Sequence, residues 1–248
     1  MKQPQDSPIK KACLAAGVFL LFAAVWHVVV VTRGIEPIVL PSPLRVLRVA
    51  WQERLMLAQG FLATGAASLS GLLTSVSLGS LIAICFSQSK LVRSAFYPYV
   101  IFLQTVPIVA IAPLLLIYID NTLVVVVIVA WIVAFFPILS NTTLGLNSAD
   151  HNLRSLFELY RASRWQTLRH LRIPSAMPYF LGGLRIAGGL SLIGAVVAEY
   201  VAGTSGTGTG LAFRILEAGY RLQIPKMFAA LILLAFTGIA IFIFFSTI

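Results

Sequence analysis

Charge is what this sequence has least of. Of its 248 residues only 10% are Asp, Glu, Lys or Arg, against about 25% in a soluble domain of this size. Acids are scarcer still: 8 Asp and Glu face 18 Lys and Arg. The 3 histidines, His27, His151 and His170, are scattered over one apolar run and one loop. No nucleophile, base and acid come together, so triad-type hydrolysis has no candidate residues. The 2 cysteines, Cys13 and Cys85, lie in apolar runs. Their spacing fits no metal site, no disulfide is expected, and they read as small packing residues. The glycine-rich GTSGTGTG at 203–210 lacks a Gly-Lys-Ser/Thr ending, so the chain has no phosphate-binding loop of that kind. A low-complexity tail, a linker and a polar second domain are missing too.

What remains is apolar sequence, 59% hydrophobic. An all-α integral membrane protein with about six transmembrane helices is predicted. The runs fall at roughly 12–31, 64–86, 96–119, 122–145, 178–203 and 226–246, each near the ~20 residues that cross a bilayer. The first is longer than the ~7–15 residues of a signal-peptide core. Bulky residues also follow its alanines in FAAVWH, so it reads as an uncleaved span. The last run is followed only by Thr247 and Ile248, with no charged residue after it, which predicts a short further tail.

The net charge of +10 reflects loop residues that orient the chain, and no nucleic-acid partner is expected. Lys2, Lys10, Lys11, Lys90, Arg93, Arg154, Arg161, Arg164, Arg169, Arg172 and Arg185 fall on one side. Arg33, Arg45, Arg48, Arg54, Arg214, Arg221 and Lys226 fall on the other. The larger set belongs in the cytoplasm, which places both termini there.

Residues 1–63 hold the first span and an outer segment, and 64–248 a core of five spans. In the outer segment, Pro43 suits a helix first turn. Leu44, Leu47, Trp51 and Leu55 then recur near helical spacing. An amphipathic helix at the membrane interface and an ordinary loop helix both fit. The second span is the least apolar, and its Ser, Thr and Gly predict close contact with other helices.

The longest cytoplasmic connection is 146–177. Leu153, Leu156, Phe157 and Tyr160 share one helical face; Trp165, Leu168 and Leu171 share another, out of phase with the first. The break falls at Arg161–Ser163. Ser163 followed by Gln166 forms a capping box, worth about 1 kcal/mol. Pro174 is expected to stop this second helix, and Ser175 to cap the fifth span. The result is a helix, a turn and a second helix with apolar stripes that need a cover. A linking loop without a partner and a docking element both fit.

These residues resemble the permease subunits of ABC importers, the binding-protein-dependent transport family. ASRWQ, LRIP, PYFLGGLRIAGG, VVAEYVAG, QTVPIVAIAPLLL and FFPILSNTTLGL carry the likeness, from about residue 60 to the end. The LPSP segment resembles the branch for sulfonates, taurine, nitrate, bicarbonate or pyrimidine precursors. The family's cytoplasmic motif is Glu-Ala-Ala, three residues, Gly, nine residues, Ile-x-Leu-Pro. Counted back from Pro174, Ser155, Leu156 and Phe157 stand at Glu-Ala-Ala, Arg161 at Gly, Leu171 at Ile and Ile173 at Leu. Either Arg161 adopts left-handed backbone, at a cost on the order of 1 kcal/mol, or the turn is built another way.

The resemblance implies a type I ABC importer permease fold whose loop 146–177 is a coupling helix. Leu156, Phe157, Glu158, Tyr160, Arg161, Ala162, Ser163, Trp165, Gln166 and Pro174 would then meet a cytoplasmic ABC ATPase dimer. It implies a bacterial inner-membrane importer with an external solute-binding protein, surrounding lipid and a second permease copy as a homodimer. No cofactor is expected on this chain; ATP and Mg belong to the ATPase. Sulfonate, taurine or nitrate-like anions rank ahead of a pyrimidine as cargo. A stand-alone carrier or a non-transporting scaffold is the alternative.

For the path, Pro107 and Pro113 are expected to kink span three and open its hydrogen-bond ladder, with Pro137 acting alike in span four. Ala187, Ser191 and Ala195, and Gly194, Ala198 and Ala202, form two small-residue stripes on span five. Ser191 is assigned to the path and Glu199 to a structural, gating or ligand-binding role near its outer end. The gate is placed between spans three and five. Arg185 is expected to snorkel to the inner headgroups. Residues 203–210 are expected to be mobile.

Overall fold

The computed structural model describes residues 8–204 and 210–247. In chain order they form α1 (Pro8–Thr32), α2 (Pro43–Gln52), α3 (Arg54–Gln88), α4 (Lys90–Thr105), α5 (Ile108–Tyr118), α6 (Thr122–Asn147), α7 (His151–Leu159) and α8 (Arg164–Thr167). A π-helical turn, Leu168–Arg172, leads into α9 (Ile173–Thr204), followed by α10 (Leu211–Tyr220) and α11 (Ile224–Ser246). No strand occurs among the described residues.

Four helical runs are long and apolar enough to cross a bilayer: α3, α6, the run Arg164–Gly203 and α11. The pair α4 and α5 qualifies as a fifth, bent by 94°. The expected first span lies in α1, where the described apolar stretch is Gly17–Thr32. Span three is therefore not one kinked helix over 96–119. It breaks outright at Val106–Pro107, because Pro107 takes extended backbone and starts α5 as its N-cap. Span two begins its helix at Arg54 rather than near 64: no proline interrupts 54–64, and its Gly60 is held close against Leu211 of α10.

The centre is α6, held between α3 and α9. Val129, Ala130, Ala134 and Ile138 are fully buried there. Small residues set the spacing. A Cβ on Gly194 would lie 2.8 Å from the Ala130 Cα, and one on Gly71 would lie 2.6 Å from the Ala130 Cβ. Thr64, Ser68 and Ser75 of α3 face inward, whereas Ser70 and Ser77 lie exposed on its outer side. Ser75 Oγ donates to the Trp131 carbonyl at 2.9 Å, and Ser68 and Ser191 Oγ atoms lie 2.9 Å apart. Both small-residue stripes of α9 face this interior, with Ala187, Ala195, Ala198 and Ala202 fully buried.

At one end of the bundle α2, α10 and the start of α11 pack around Val46, Leu57, Leu211 and Ala230. Pro43 occupies the first turn of α2. Leu44, Leu47, Trp51 and Leu55 stay exposed, and the Arg54 guanidinium sits over the Trp51 ring at 4.9 Å. A face left uncovered at a helix-bundle end suits the interfacial placement. At the other end Phe86, Leu146, Leu168 and Ala176 share a core cluster.

Four local expectations change. Pro174 does not stop a helix. The amide of Ile173 bonds the Leu168 carbonyl, and this wider turn makes room for the proline ring, so Pro174 becomes the second residue of α9. Ser175 consequently caps nothing; its hydroxyl donates to the Leu171 carbonyl at 2.8 Å. Arg185 does not simply snorkel, but donates to the last carbonyls of α11, Phe245 at 3.3 Å and Ser246 at 3.2 Å. That is a cation at a helix C-terminus. Cys85 is exposed rather than packed in the core. The Cys13 side chain and most of 203–210 lie outside what the structure describes.

Candidate functional site

Three places carry side chains that packing alone does not explain. The first is the α7–α8 segment. Asp150 caps α7, its carboxylate accepting the Asn152 amide at 2.7 Å. The helix ends in a Schellman turn: the Arg161 amide bonds the Glu158 carbonyl at 3.0 Å, and the Ala162 amide bonds Phe157 at 2.9 Å. Arg161 takes the left-handed position, with φ at +52°. The capping box then starts α8. Gln166 N donates to Ser163 Oγ at 3.2 Å, and Ser163 N donates to Gln166 Oε1 at 2.7 Å.

Leu168 and Leu171 face down into the bundle and are buried. Trp165 does not join them, because the π turn beginning at Leu168 shifts the register; it stays 66% exposed. Leu156, Phe157, Tyr160, Ala162 and Gln166 line a shallow hollow of about 400 Å³ with His170. Tyr160 and its neighbour Leu159 are both 81% exposed. Of the predicted coupling residues, Leu156, Phe157, Tyr160, Ala162 and Gln166 thus meet at one hollow. Arg161 and Ser163 build the turn beneath it, and Trp165 projects alongside. Glu158 lines a separate cavity, and Pro174 lies beyond the π turn in α9.

The second place is the break between α4 and α5. A cleft of about 380 Å³ opens there, lined by Leu103 to Ile108, Pro137, Leu190 and neighbours from α6. Pro107 has no amide for the Leu103 carbonyl, and Pro137 has none for Val133. Leu103 and Val133, whose carbonyl acceptors are freed in this way, both line this cleft, and such carbonyls at membrane depth are tolerated against protein or water. Pro113 lies inside α5, away from the cleft-lining residues. Ser191 points into the α3–α9 contact.

The third place is Glu199, buried at the far end of α9. Its Oε2 accepts from Thr64 Oγ1 at 2.9 Å and from the Ala212 amide at 3.1 Å. Thr64 Oγ1 in turn accepts the Leu211 amide at 2.8 Å. Gly210, the N-cap of α10, has no side chain of its own. Two other helices therefore cap α10, and a Cβ on Gly210 would fall on the Glu199 carboxylate. Sequence reasoning missed Thr64; the available signal was a helix with glycine at its N-cap and a lone acid in an apolar span. The four predicted pathway residues do not converge: Pro107 lines the cleft, while Pro113, Ser191 and Glu199 lie elsewhere.

Among the described residues no three His, Cys, Asp or Glu side chains group to hold a metal. Residues 75–248 match the family model for the binding-protein-dependent transport system inner membrane component. The chain is 32% identical over 222 residues to a formylaminopyrimidine transport permease protein of Halalkalibacterium halodurans, covering 89% of this chain and 87% of that one. It is 31% identical over 226 residues to a riboflavin transport system permease protein of Chloroflexus aurantiacus, covering 90% and 83%. A taurine transport system permease protein of Escherichia coli is 28% identical over 237 residues, covering 91% and 83%. With apolar helices that cross a bilayer and a family match over most of its length, the chain belongs to the ABC transporter permeases of the binding-protein-dependent transport family.

Proposed function

We propose that this chain is the permease subunit of an ATP-driven importer that moves a small solute into the cytoplasm by alternating access. The observation that carries the reading is the α7–α8 segment: an apolar hollow and an exposed Trp165, uncovered by this chain, built on a π turn that runs without a break into α9. A force on α8 is passed to α9 through that turn, and α9 packs on α5, α6 and α3. The excess of basic residues at this end supports a cytoplasmic side for it and for both termini, and the chain would sit in a bacterial inner membrane. A cytoplasmic ATPase dimer holding ATP and Mg would grip two copies of the segment, one from each permease of a homodimer. An external binding protein would deliver the solute at the α2–α10 end.

The cleft at the Pro107 break is the best-placed part of a path, since it combines a broken span with freed backbone carbonyls. The Glu199 network serves the outer end by fixing α10 to α3 and α9. This use of Glu199 also disfavours a stand-alone ion-coupled carrier, because the one buried acid among the described residues is already held by Thr64 and Ala212. For cargo, anions of the sulfonate, taurine or nitrate kind and heterocycles of the pyrimidine kind are the two classes. Two relatives above 30% identity are named for formylaminopyrimidine and riboflavin, which moves heterocycles to the front of a solute panel.

Trp165→Asp tests the docking surface. An aromatic anchor replaced by a charge is expected to weaken ATPase retention by about 30-fold or more, with the permease still folded. Co-purification equal to the wild type would remove the docking role.

A further inference from the structure

Two adjoining cavities at the α7–α8 end have no part in the reading above. The first, about 480 Å³, lies between the α3–α4 turn and the α7–α8 segment. Lys90, Arg93, Arg154, Arg164 and Arg172 line it, against one acid, Glu158. Arg172 donates from Nη1 to the Ser87 carbonyl at 2.7 Å and so answers the C-terminal turn of α3. None of the five cations is in an ion pair among the described residues. Arg154 lies near enough to Arg172 to repel its charge. The first turn of α4 adds the positive end of a 16-residue helix. Like charges held around an open cavity make a field for an anion.

The second cavity, about 430 Å³, is an apolar groove under α4. Its walls include Ile82, Cys85, Phe96, Leu103 and Trp131. Phe86 lines both cavities, and Val92 of the groove is the neighbour of Arg93 of the basic pocket. No residue of α4 is fully buried; Val92, Tyr97 and Val100 pack partly on the bundle, and the helix roofs the groove.

A basic pocket opening beside an apolar groove has the pattern of an amphiphile with an anionic head. We propose that the two cavities together bind an anionic phospholipid, with its phosphate among Lys90, Arg93 and Arg154 and an acyl chain beneath α4. Charge complementarity selects the head, since basic pockets between helices at the positively charged face attract such lipids. The groove selects lipid over free phosphate, which would leave it empty. The bound lipid would bridge α4 to α7 and thereby link the broken span to the α7–α8 segment. This inference stands on the cavities and does not require the ATPase reading.

The test is native mass spectrometry of the full chain released from micelles with phosphatidylglycerol, with phosphatidylcholine, or with inorganic phosphate as a competitor. Phosphatidylglycerol is expected to be retained in preference to phosphatidylcholine and to resist inorganic phosphate. Lys90→Gln with Arg93→Gln, both exposed, should weaken its retention about 25-fold, two charges at about fivefold each. Cys85→Trp, which fills the groove from an exposed position, should also lower retention without altering the charge. Equal retention of both lipids, or wild-type retention by both variants, would overturn the proposal. Full displacement by phosphate with no effect of Cys85→Trp would assign the pocket to a soluble anion instead. A Cys85–Cys85 crosslink formed readily in membranes would put a second copy over the groove and equally overturn it.

Discussion

Arg161 holds a position where the chain turns left-handed, at φ +52°, without the glycine that such turns favour. Left-handed backbone costs an L residue roughly 1–2 kcal/mol, and glycine returns about 0.5–1 kcal/mol of that through its looser unfolded chain. Arg161→Gly is therefore expected to stabilise the α7–α8 turn by up to about 1 kcal/mol. Slower amide exchange at Ala162, whose N–H bonds Phe157, would show it; unchanged exchange would mean that the arginine is held by contacts of its own. Leu222 repeats the device at the end of α10, with φ +56°. Thr64 is the opposite case, a small residue with three helices depending on it. Thr64→Val keeps the shape but leaves the Leu211 amide and the Glu199 carboxylate each short of a partner. A loss of about 1–3 kcal/mol in detergent unfolding is expected. A silent Thr64→Val would show that α10 is anchored by its apolar side alone.

At the scale of elements, what could be read from the sequence was what neighbours in sequence decide. The Ser163–Gln166 box acts over one helical turn, and it formed. Ser163→Ala should cost about 1 kcal/mol, seen as faster exchange of the α8 amides, whereas Gln166→Glu should keep most of the box. The first turn of α2 at Pro43 and the inward face of α3 were legible for the same reason. Pro174 was misleading because the local rule assumes an α-helix around it. The π turn changes the hydrogen-bond step just before the proline, and only the fit of Leu168 and Leu171 into the bundle selects that turn. The break at Pro107 was expected as a kink. Its full 94° follows from α5 packing Ala112 against Val125, Val129 and Ala195, a tertiary demand that no local pattern announces. The Thr64–Glu199 bond joins residues 135 apart, beyond any motif.

At the scale of the molecule, α3, α6 and α9 form a tight unit joined by Gly71, Ala130 and Gly194, with α4 and the α7–α8 segment attached around it. Such a unit moves as a body, because its backbones are too close to slide past one another. That is what a transmitted motion needs: a handle at α8, a rigid α9 and a broken span beside it. The fold class and family were legible, since composition and the permease-like motifs span most of the chain. The site was legible in part. The α7–α8 hollow gathered residues from one stretch of sequence, whereas the cleft and the α10 cap are assembled from helices far apart in it.

The measurement that tests this account most directly is ATP hydrolysis in proteoliposomes holding this permease with its partner ATPase, with and without the solute-loaded binding protein. The account predicts hydrolysis that rises when loaded binding protein is added to the α2–α10 side and that loses this rise in Trp165→Asp. Hydrolysis indifferent to the binding protein, in a complex that forms and stays folded, would contradict it.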